Sequence, residues 1–180
     1  PMNPDTVCGV ASMSKSMTAL AAAILEQEGK LSYEDPVCKY LPDFRLRGVP
    51  AELVTIEHLA RHTAGLPPLP SLGWSLAWHN KPEPWSRVEA ERRKARSKYP
   101  MATSEELIAY IREEAEPLGA PGEYMSYSND SYALLSSVVD AAAGEPLEDF
   151  LQKRLFDPLG MRKTVLDMDG SKADLLARGN

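Results

Sequence analysis

The sequence has few of the residues on which small disulfide-rich and zinc-binding domains depend. Of its 180 residues, two are cysteine and three are histidine. Cys8 and Cys38 cannot build a disulfide framework, and they lack the paired spacing of a zinc site. We therefore expect two free, packed thiols, with a single bridge between Cys8 and Cys38 as the alternative.

Long apolar runs and excess positive charge are also absent. The longest apolar run, residues 17–25, is much shorter than the ~20 residues of a membrane span. The net charge is −6 and 43% of residues are apolar, so we expect a soluble domain with a sizeable core and no nucleic-acid partner. The chain opens at Pro1 without a signal peptide, which leaves the compartment open and suggests a removed leader or a longer parent chain.

A serine and a lysine stand three residues apart where the first apolar helix begins. Residues i and i+3 share a helix face, so Ser12 and Lys15 are expected within reach of each other. A serine hydroxyl is a poor nucleophile until a neighbouring group takes its proton, and Lys15 is placed to help. The backbone N–H of Ser12 would add an oxyanion donor at the helix start. The alternative is a serine N-cap followed by a solvated lysine.

Apolar spacing and end signals predict a mostly helical chain with proline-rich connections. A short extended lead is expected over residues 6–11, and an ordered surface connection over 31–50. The helix after Ser12 is apolar on nearly every side, which predicts a buried central helix. The predicted helices cover residues 14–28, 56–61 and 103–116, with a further one from about 130 to Gly144. Thr55 is predicted to cap the second helix, Thr103 to open the third in a capping box with Glu106, and Gly29 and Gly144 to stop the first and the last.

The stretch from residue 67 to 101 differs from the rest and is interpreted as an inserted flap rich in proline and tryptophan. Trp74 and Trp78 share a helical face and would either line a substrate cleft or pack the insertion onto the body. The charged run 87–98 is typical of a solvated helix face. His58 and His62, just before the flap, stand at i and i+4, but Leu59 occupies the position where a zinc-protease helix carries glutamate. Structural histidines are therefore favoured over a metal site.

A second polar cluster precedes the last strong apolar helix. In Tyr127-Ser128-Asn129, the phenol of Tyr127 would ionise more readily next to cationic Lys15 and could take the proton of Ser12. The amide of Asn129 can donate to a substrate carbonyl while accepting from Lys15. The alternative is a tyrosine and an asparagine in a helix-capping turn.

Together these motifs resemble the serine beta-lactamase-related family. The resemblance is closest to the branch with class C beta-lactamases, D-alanyl-D-alanine carboxypeptidases, D-aminopeptidases and related esterases, and it covers nearly the whole chain apart from the flap. Its first two elements are matched by Ser12-Met13-Ser14-Lys15 and Tyr127-Ser128-Asn129. Further matches are His62-Thr63-Ala64-Gly65-Leu66, Asp35-Pro36-Val37, Tyr40-Leu41-Pro42 and Pro158-Leu159-Gly160-Met161.

The resemblance implies an α+β fold, of which residues 1–180 would form mostly the helical portion, with most of the antiparallel sheet missing. It also implies a serine hydrolase. Ser12 would attack an amide or ester carbonyl, Tyr127 and Lys15 would pass its proton to the leaving group, and Asn129 would hold the substrate. The implied substrate is a small molecule or peptide, namely a beta-lactam, a D-amino acid peptide or an ester. No metal or cofactor is implied.

The family's third element, Lys-Thr-Gly or His-x-Gly, has no match in the chain. Lys163-Thr164 is followed by Val165, and Gly170-Ser171-Lys172 stands in a different setting. We therefore expect a segment of a longer enzyme whose remainder is a partner of this chain, and no full activity from these residues alone. The alternatives are a non-catalytic binding module with the same fold and a helical interaction domain in which both motifs are helix caps.

Overall fold

The computed structural model describes residues 8–68, 70–79 and 100–166, and the described part is helical. Within those ranges no strand forms, and β pairing is confined to isolated bridges between Pro36 and Thr55 and between Leu46 and Val49. The α-helices are α1 Lys15–Gln27, α2 Ile56–Ala60, α3 Pro70–His79, α4 Ser104–Glu113, α5 Asn129–Ala143 and α6 Leu147–Leu151. Shorter 3₁₀ turns cover Ala11–Ser14, Val37–Lys39 and Ala51–Leu53, and a π-helical turn covers Gln152–Phe156.

Helix α5 is the centre of the described part, because α1, α2, α3, α4 and α6 all pack against it. Its sequence explains this position, since apolar residues recur at helical spacing and fill the side that faces the core. The fully buried members of this set are Leu134, Leu135, Val138 and Val139. Because the N-terminus of α5 follows Tyr127 directly, the second polar cluster is attached to the most heavily packed element.

The capping residues and the glycine stop that the sequence predicts are present at the helix ends. Thr55 and Thr103 each accept a hydrogen bond from the backbone N–H three residues on, and the side chains of His58 and Glu106 complete capping boxes. At the end of α1, Gly29 has φ +70°. Its N–H donates to the Glu26 carbonyl (2.9 Å) and the next N–H, of Lys30, donates to the Leu25 carbonyl (2.9 Å), which is the Schellman arrangement.

Helix α1 differs from its prediction. It was expected to be central and buried on nearly every side, but Leu20 is 41% exposed. Ala21, Ala22 and Leu25 form its buried face, which packs against α5 and α6. The apolar composition of α1 did not predict its exposed side, because alanine is compatible with both exposed and buried positions.

The connection over residues 31–50 is ordered as expected, but it is more than a surface connection. The side chains of Val37 and Phe44 are fully buried and Leu46 is 2% exposed, so this segment supplies part of the core. Cys38 is half-buried and Cys8 is exposed, and both are free thiols. The prediction of free cysteines is confirmed, whereas the packed position predicted for Cys8 is wrong.

The flap prediction is only partly open to comparison. Within residues 67–101, the structure contains α3, which begins at Pro70, a residue that favours the first turn of a helix because its missing N–H has no intrahelical partner there. The charged run and Trp85 lie outside the described residues, as do residues 6 and 7 of the predicted extended lead. In the described ranges, no helix has the length and apolar character needed to cross a bilayer.

Candidate functional site

Ser12 lies in the 3₁₀ turn Ala11–Ser14 that leads directly into α1. Its side chain is exposed and does not cap the helix, because the N-cap position of α1 is taken by Ser14. Instead the Lys15 ammonium donates a hydrogen bond to Ser12 Oγ over 3.1 Å. Ala11, immediately before Ser12, has φ 45°, a left-handed conformation that is uncommon for a residue with a side chain and that tends to occur at functional sites.

Lys15 joins this turn to the start of α5. Its half-buried ammonium donates to Asn129 Oδ1 over 2.9 Å, across 114 positions of sequence. The same nitrogen lies 5.2 Å from the centroid of the Tyr127 ring and 5.7 Å from that of Tyr132. A cation at this distance from aromatic rings is attracted by their electron-rich faces. Lys15 therefore contacts every other residue of the predicted constellation.

The phenol of Tyr127 completes the cluster. Hydrogen bonds with Ser12 and then with Lys15, together with the positive charge of Lys15, lower the pKa of Tyr127 below its ordinary value. Both bonds stabilise the phenolate, and one of them brings the Tyr127 phenol into contact with the Ser12 hydroxyl. The side chain is 42% exposed, so the phenol is held by partners on one side while the other side meets solvent.

The predicted site residues are thus brought together: Ser12, Lys15, Tyr127 and Asn129 form one connected cluster. Ser128, between the last two, is the N-cap of α5, because its side chain accepts from the N–H of Ser131. Because Ser128 caps the helix, the side chains of Tyr127 and Asn129 can contact Lys15 instead. The serine-cap alternative does not describe Ser12, whose side chain caps no helix. Tyr127 and Asn129 do flank the capping residue of α5, and both also contact Lys15.

The two histidines, His58 and His62, take separate positions. In the described part of the chain, no three histidine, cysteine, aspartate or glutamate side chains are grouped so that they could hold a metal ion. His58 Nδ1 lies 3.2 Å from the backbone nitrogen of Thr55, within the cap of α2. His62 instead reaches the site, because its Nδ1 accepts a hydrogen bond from the N–H of Ser128 over 3.1 Å. The favoured interpretation of hydrogen-bonded histidines agrees with these contacts.

A buried carboxyl lies directly behind the cluster and was missed by sequence reasoning. Asp130 is 1% exposed, and its Oδ1 accepts a hydrogen bond from the Ser71 hydroxyl of α3. Burial raises the pKa of Asp130 above its ordinary value, against the lowering effect of the Ser71 bonds. An aspartate in the first turn of a helix is ordinarily interpreted as a favourable surface charge, so nothing in the sequence marks this one as buried.

Comparison with known proteins places the whole chain in one family. The family model described as "Beta-lactamase" matches residues 1–180. Penicillin-binding protein 4* of Bacillus subtilis (strain 168) is 32% identical over 91% of this chain and 31% of its own length. Esterase EstB of Burkholderia gladioli is 32% identical over 90% of this chain and 39% of its own length.

Solved structures agree with the sequence comparison. A class C beta-lactamase superposes with a TM-score of 0.71 at 26% identity, over 99% of this chain and 42% of the other. The described helices therefore belong to the beta-lactamase and transpeptidase-like fold. The chain spans less than half the length of each of these three proteins, at 31%, 39% and 42%.

Proposed function

The chain belongs to the beta-lactamase family, and from this premise we propose that its protein is a serine hydrolase that acts through an acyl-enzyme on Ser12. The observation that carries the proposal is the position of Lys15, whose ammonium contacts Ser12 Oγ at 3.1 Å and Asn129 Oδ1 at 2.9 Å. A solvated lysine at a helix start would have neither contact. The hydrogen bond between Ser12 and Tyr127 gives the serine proton an acceptor.

In the proposed acylation step, Tyr127 takes a proton from Ser12 and then gives it to the leaving group. Ser12 Oγ attacks the carbonyl carbon of an amide or ester while its proton passes to Tyr127 Oη, whose negative charge Lys15 stabilises. The proton then goes to the leaving nitrogen or oxygen as its bond to the carbonyl carbon breaks. In deacylation, Tyr127 Oη takes a proton from a water molecule whose oxygen attacks the carbonyl carbon of the ester. It returns that proton to Ser12 Oγ as the bond between this oxygen and the carbonyl carbon breaks and the acid is released. The lowered pKa of Tyr127 increases the fraction of the phenol that is ionised, and so available as a base, at the working pH.

Asn129 is proposed to bind the substrate. Its Oδ1 accepts from Lys15, which orients the amide so that its NH₂ group has two donors for other partners. A carbonyl of the bound acyl group is the natural acceptor. The substrate class is a beta-lactam, a D-amino acid peptide or an ester, and the names of the relatives include a penicillin-binding protein and an esterase.

The test is covalent labelling followed by intact mass spectrometry. The full-length gene product and the 180-residue chain are each exposed to a fluorophosphonate and, separately, to benzylpenicillin, and a peptide map locates the adduct. We expect one adduct per molecule on Ser12 of the full-length gene product, and weak or no labelling of the 180-residue chain. Ser12→Ala should abolish labelling while changing the free energy of unfolding by about 1 kcal/mol or less, because the side chain is exposed.

Ser16→Ala is the matched control, since Ser16 is an exposed serine on the same helix. It should label like the wild type. An adduct on another serine, or full labelling of Ser12→Ala, would rule out the mechanism. Absence of any adduct on the full-length protein would favour the alternative of a binding module with the same fold.

A further inference from the structure

His62 contacts three successive residues of the turn that precedes α5, namely Ser126, Tyr127 and Ser128. Its carbonyl accepts a hydrogen bond from the Ser126 N–H over 2.8 Å, and its Nδ1 accepts from the Ser128 N–H over 3.1 Å. Between these two bonds, the imidazole packs against the ring of Tyr127, with centroids 4.4 Å apart and planes inclined by 36°. His62 thus holds the backbone on both sides of Tyr127 through its own carbonyl and its imidazole, and the imidazole also packs on the Tyr127 ring.

The backbone of His62 is itself unusual. Its φ of 59° is left-handed, a conformation in which a residue with a Cβ is strained and which persists only where the surroundings require it. The chain continues from His62 into Thr63 and Gly65, whose carbonyls accept from the N–H groups of Gly122 (2.8 Å) and Leu118 (2.9 Å). The left-handed residue therefore begins a segment that is hydrogen-bonded along the loop leading to Tyr127.

Three titratable groups face the imidazole of His62. Tyr127 lies on one side and Tyr132 of α5 on another, with a centroid distance of 5.0 Å from the imidazole to the Tyr132 ring, while Lys15 of α1 lies close to both tyrosine rings. Burial, and after it the charge of Lys15, lower the pKa of His62 below its ordinary value. The neutral ring keeps Nδ1 as an acceptor and adds no second cation beside Lys15.

We propose that neutral His62 is a positioning residue, which holds the Tyr127 phenol at Ser12 by fixing the backbone and the ring of Tyr127 together. The role rests on the proposed function, because it assigns to His62 a contribution to the acylation of Ser12. His62 exchanges no proton with the substrate. The serine proton still passes to Tyr127, and His62 acts only by keeping that acceptor in place.

The test compares His62→Asn and His62→Leu with the wild-type, full-length protein. Asparagine tolerates a left-handed backbone and has an oxygen that can accept from Ser128, whereas leucine offers no acceptor. We expect His62→Leu to slow single-turnover acylation of Ser12 by benzylpenicillin by about 10²-fold, the effect of misplacing a catalytic group by about 1 Å. Non-covalent penicillin binding should change by less than about threefold, and His62→Asn should recover part of the rate.

His58→Asn is the matched control, because His58 lies in the same helix region but contacts Thr55 instead of Ser128. Its acylation rate should equal that of the wild type. If His62→Leu does not fold, His62→Asn and the pH profile decide alone. Equal acylation rates for His62→Asn, His62→Leu and the wild type would overturn the positioning role.

The pH profile of acylation is a readout that a merely structural residue would not move. Protonation of His62 removes the acceptor for Ser128 and places a second positive charge beside Lys15. The acylation rate of the wild type and of His58→Asn should therefore fall at a pH below about 6.5, the ordinary value for histidine. In His62→Asn this limb should be absent, while any limb that belongs to Tyr127 remains. An identical acid limb in all three proteins would contradict the proposal.

An NMR measurement without substrate tests the contact between His62 and Ser128, and the labelling of Ser12 then separates the two proposals. In a ¹⁵N NMR spectrum, Nδ1 of His62 should be unprotonated and the Ser128 amide should shift in His62→Leu but not in His58→Asn. If the wild type never labels on Ser12, the proposed function fails and the positioning role fails with it, whatever the Ser128 amide shows. If the wild type labels and the His62 variants label equally fast, only the positioning role fails.

Discussion

The two halves of the candidate site are held in different ways. The Ser12 turn, Ala11–Ser14, has no buried residue, and Met13 is 72% exposed. Its hydrogen bonds are local, such as that from the Met13 N–H to the Val10 carbonyl at 3.1 Å. Apart from the contact with Tyr127, the Ser12 turn is joined to the Tyr127 half through Lys15, which contacts both Ser12 and Asn129. Ser12, the proposed nucleophile, is therefore positioned mainly by the continuity of the turn with α1.

The Tyr127 half is held by tertiary contacts. His62 binds the backbone on both sides of Tyr127, and the N–H of Asn129 donates to the Pro68 carbonyl over 3.2 Å. Directly behind it, α5 is the most heavily packed helix of the described part. The comparison teaches that Tyr127, the proposed proton acceptor, is preorganised by the fold, whereas Ser12, the proposed nucleophile, is preorganised by its neighbours in sequence. Preorganised groups need no reorganisation at the moment of reaction.

The largest expected effect comes from removing the phenol oxygen of Tyr127, which joins the two halves of the site through its contact with Ser12. Tyr127→Phe keeps the ring that packs on His62 but removes the oxygen that is proposed to receive the serine proton. We expect the acylation rate to fall by about 10²- to 10⁴-fold, the usual contribution of a general base, with penicillin binding retained. Stopped-flow acylation with a chromogenic cephalosporin measures the rate, and an unchanged rate would remove Tyr127 from the mechanism.

A pair of truncations tests the difference in packing between the halves. Leu134→Ala, which truncates a fully buried side chain of α5, should lower the free energy of unfolding by about 2–5 kcal/mol. Met13→Ala, in the exposed Ser12 turn, should change it by no more than about 0.5 kcal/mol. Urea unfolding of both variants measures this, and similar losses would show that the Ser12 turn is packed more tightly than its exposure indicates.

A second pair tests the loop contacts behind Tyr127. Gly65 has φ +77°, and a Cβ there would lie 2.5 Å from the carbonyl oxygen of Gly119. Gly29 has φ +70° with open space around it, so Gly29→Ala should cost only the left-handed strain of about 1–2 kcal/mol. Gly65→Ala should cost at least about 1 kcal/mol more, because the loop must also shift. Thermal unfolding compares the two, and equal losses would mean that the loop yields freely.

The smallest expected effect is a pH dependence at Asp130. Its pKa is raised by burial, so the protonated form is favoured in the folded state, and ionisation favours unfolding. From about pH 4, the ordinary range of aspartate, up to its raised pKa, the wild type should lose stability relative to Asp130→Asn as pH rises. The slope is at most about 1.4 kcal/mol per pH unit, the contribution of one proton.

Ser71→Ala is the control for Asp130, because it removes the partner hydroxyl and leaves the ionisable carboxyl in place. It should keep the wild-type slope or steepen it, since the Ser71 bonds lower the pKa of Asp130. Urea unfolding at several pH values measures the difference. A constant difference between Asp130→Asn and the wild type would mean that Asp130 is ionised in the folded state with an ordinary pKa.

Local signals in the sequence accounted for much of the fold and most of the site. The caps at Thr55 and Thr103, the glycine stops after α1 and α5, and the apolar stripe of α5 all formed as predicted, because each depends on residues within about one turn of one another. The four predicted site residues are brought together as well. Their roles in catalysis stay a prediction until the labelling is done.

What the sequence did not predict depends on distant partners. His62 was assigned no role in the site, because its contacts with Ser126 and Ser128 join positions more than 60 residues apart (66 for Ser128). Asp130 was overlooked for the same reason, since its burial comes from α3 packing on α5. The degree of exposure of α1 was also missed, because alanine-rich helices look alike whether they lie at the centre or at the edge.

The sequence by itself determined that Ser12 and Lys15 lie one helical turn apart and that Tyr127 and Asn129 precede a helix, because backbone geometry converts short spacings into distances. Only the tertiary structure decided that Lys15 lies 2.9 Å from Asn129 and that His62 holds Tyr127. The physical reason is that contacts across long stretches of chain arise from the packing of whole helices, here α1 and α2 on α5. No spacing in the sequence encodes those distances locally.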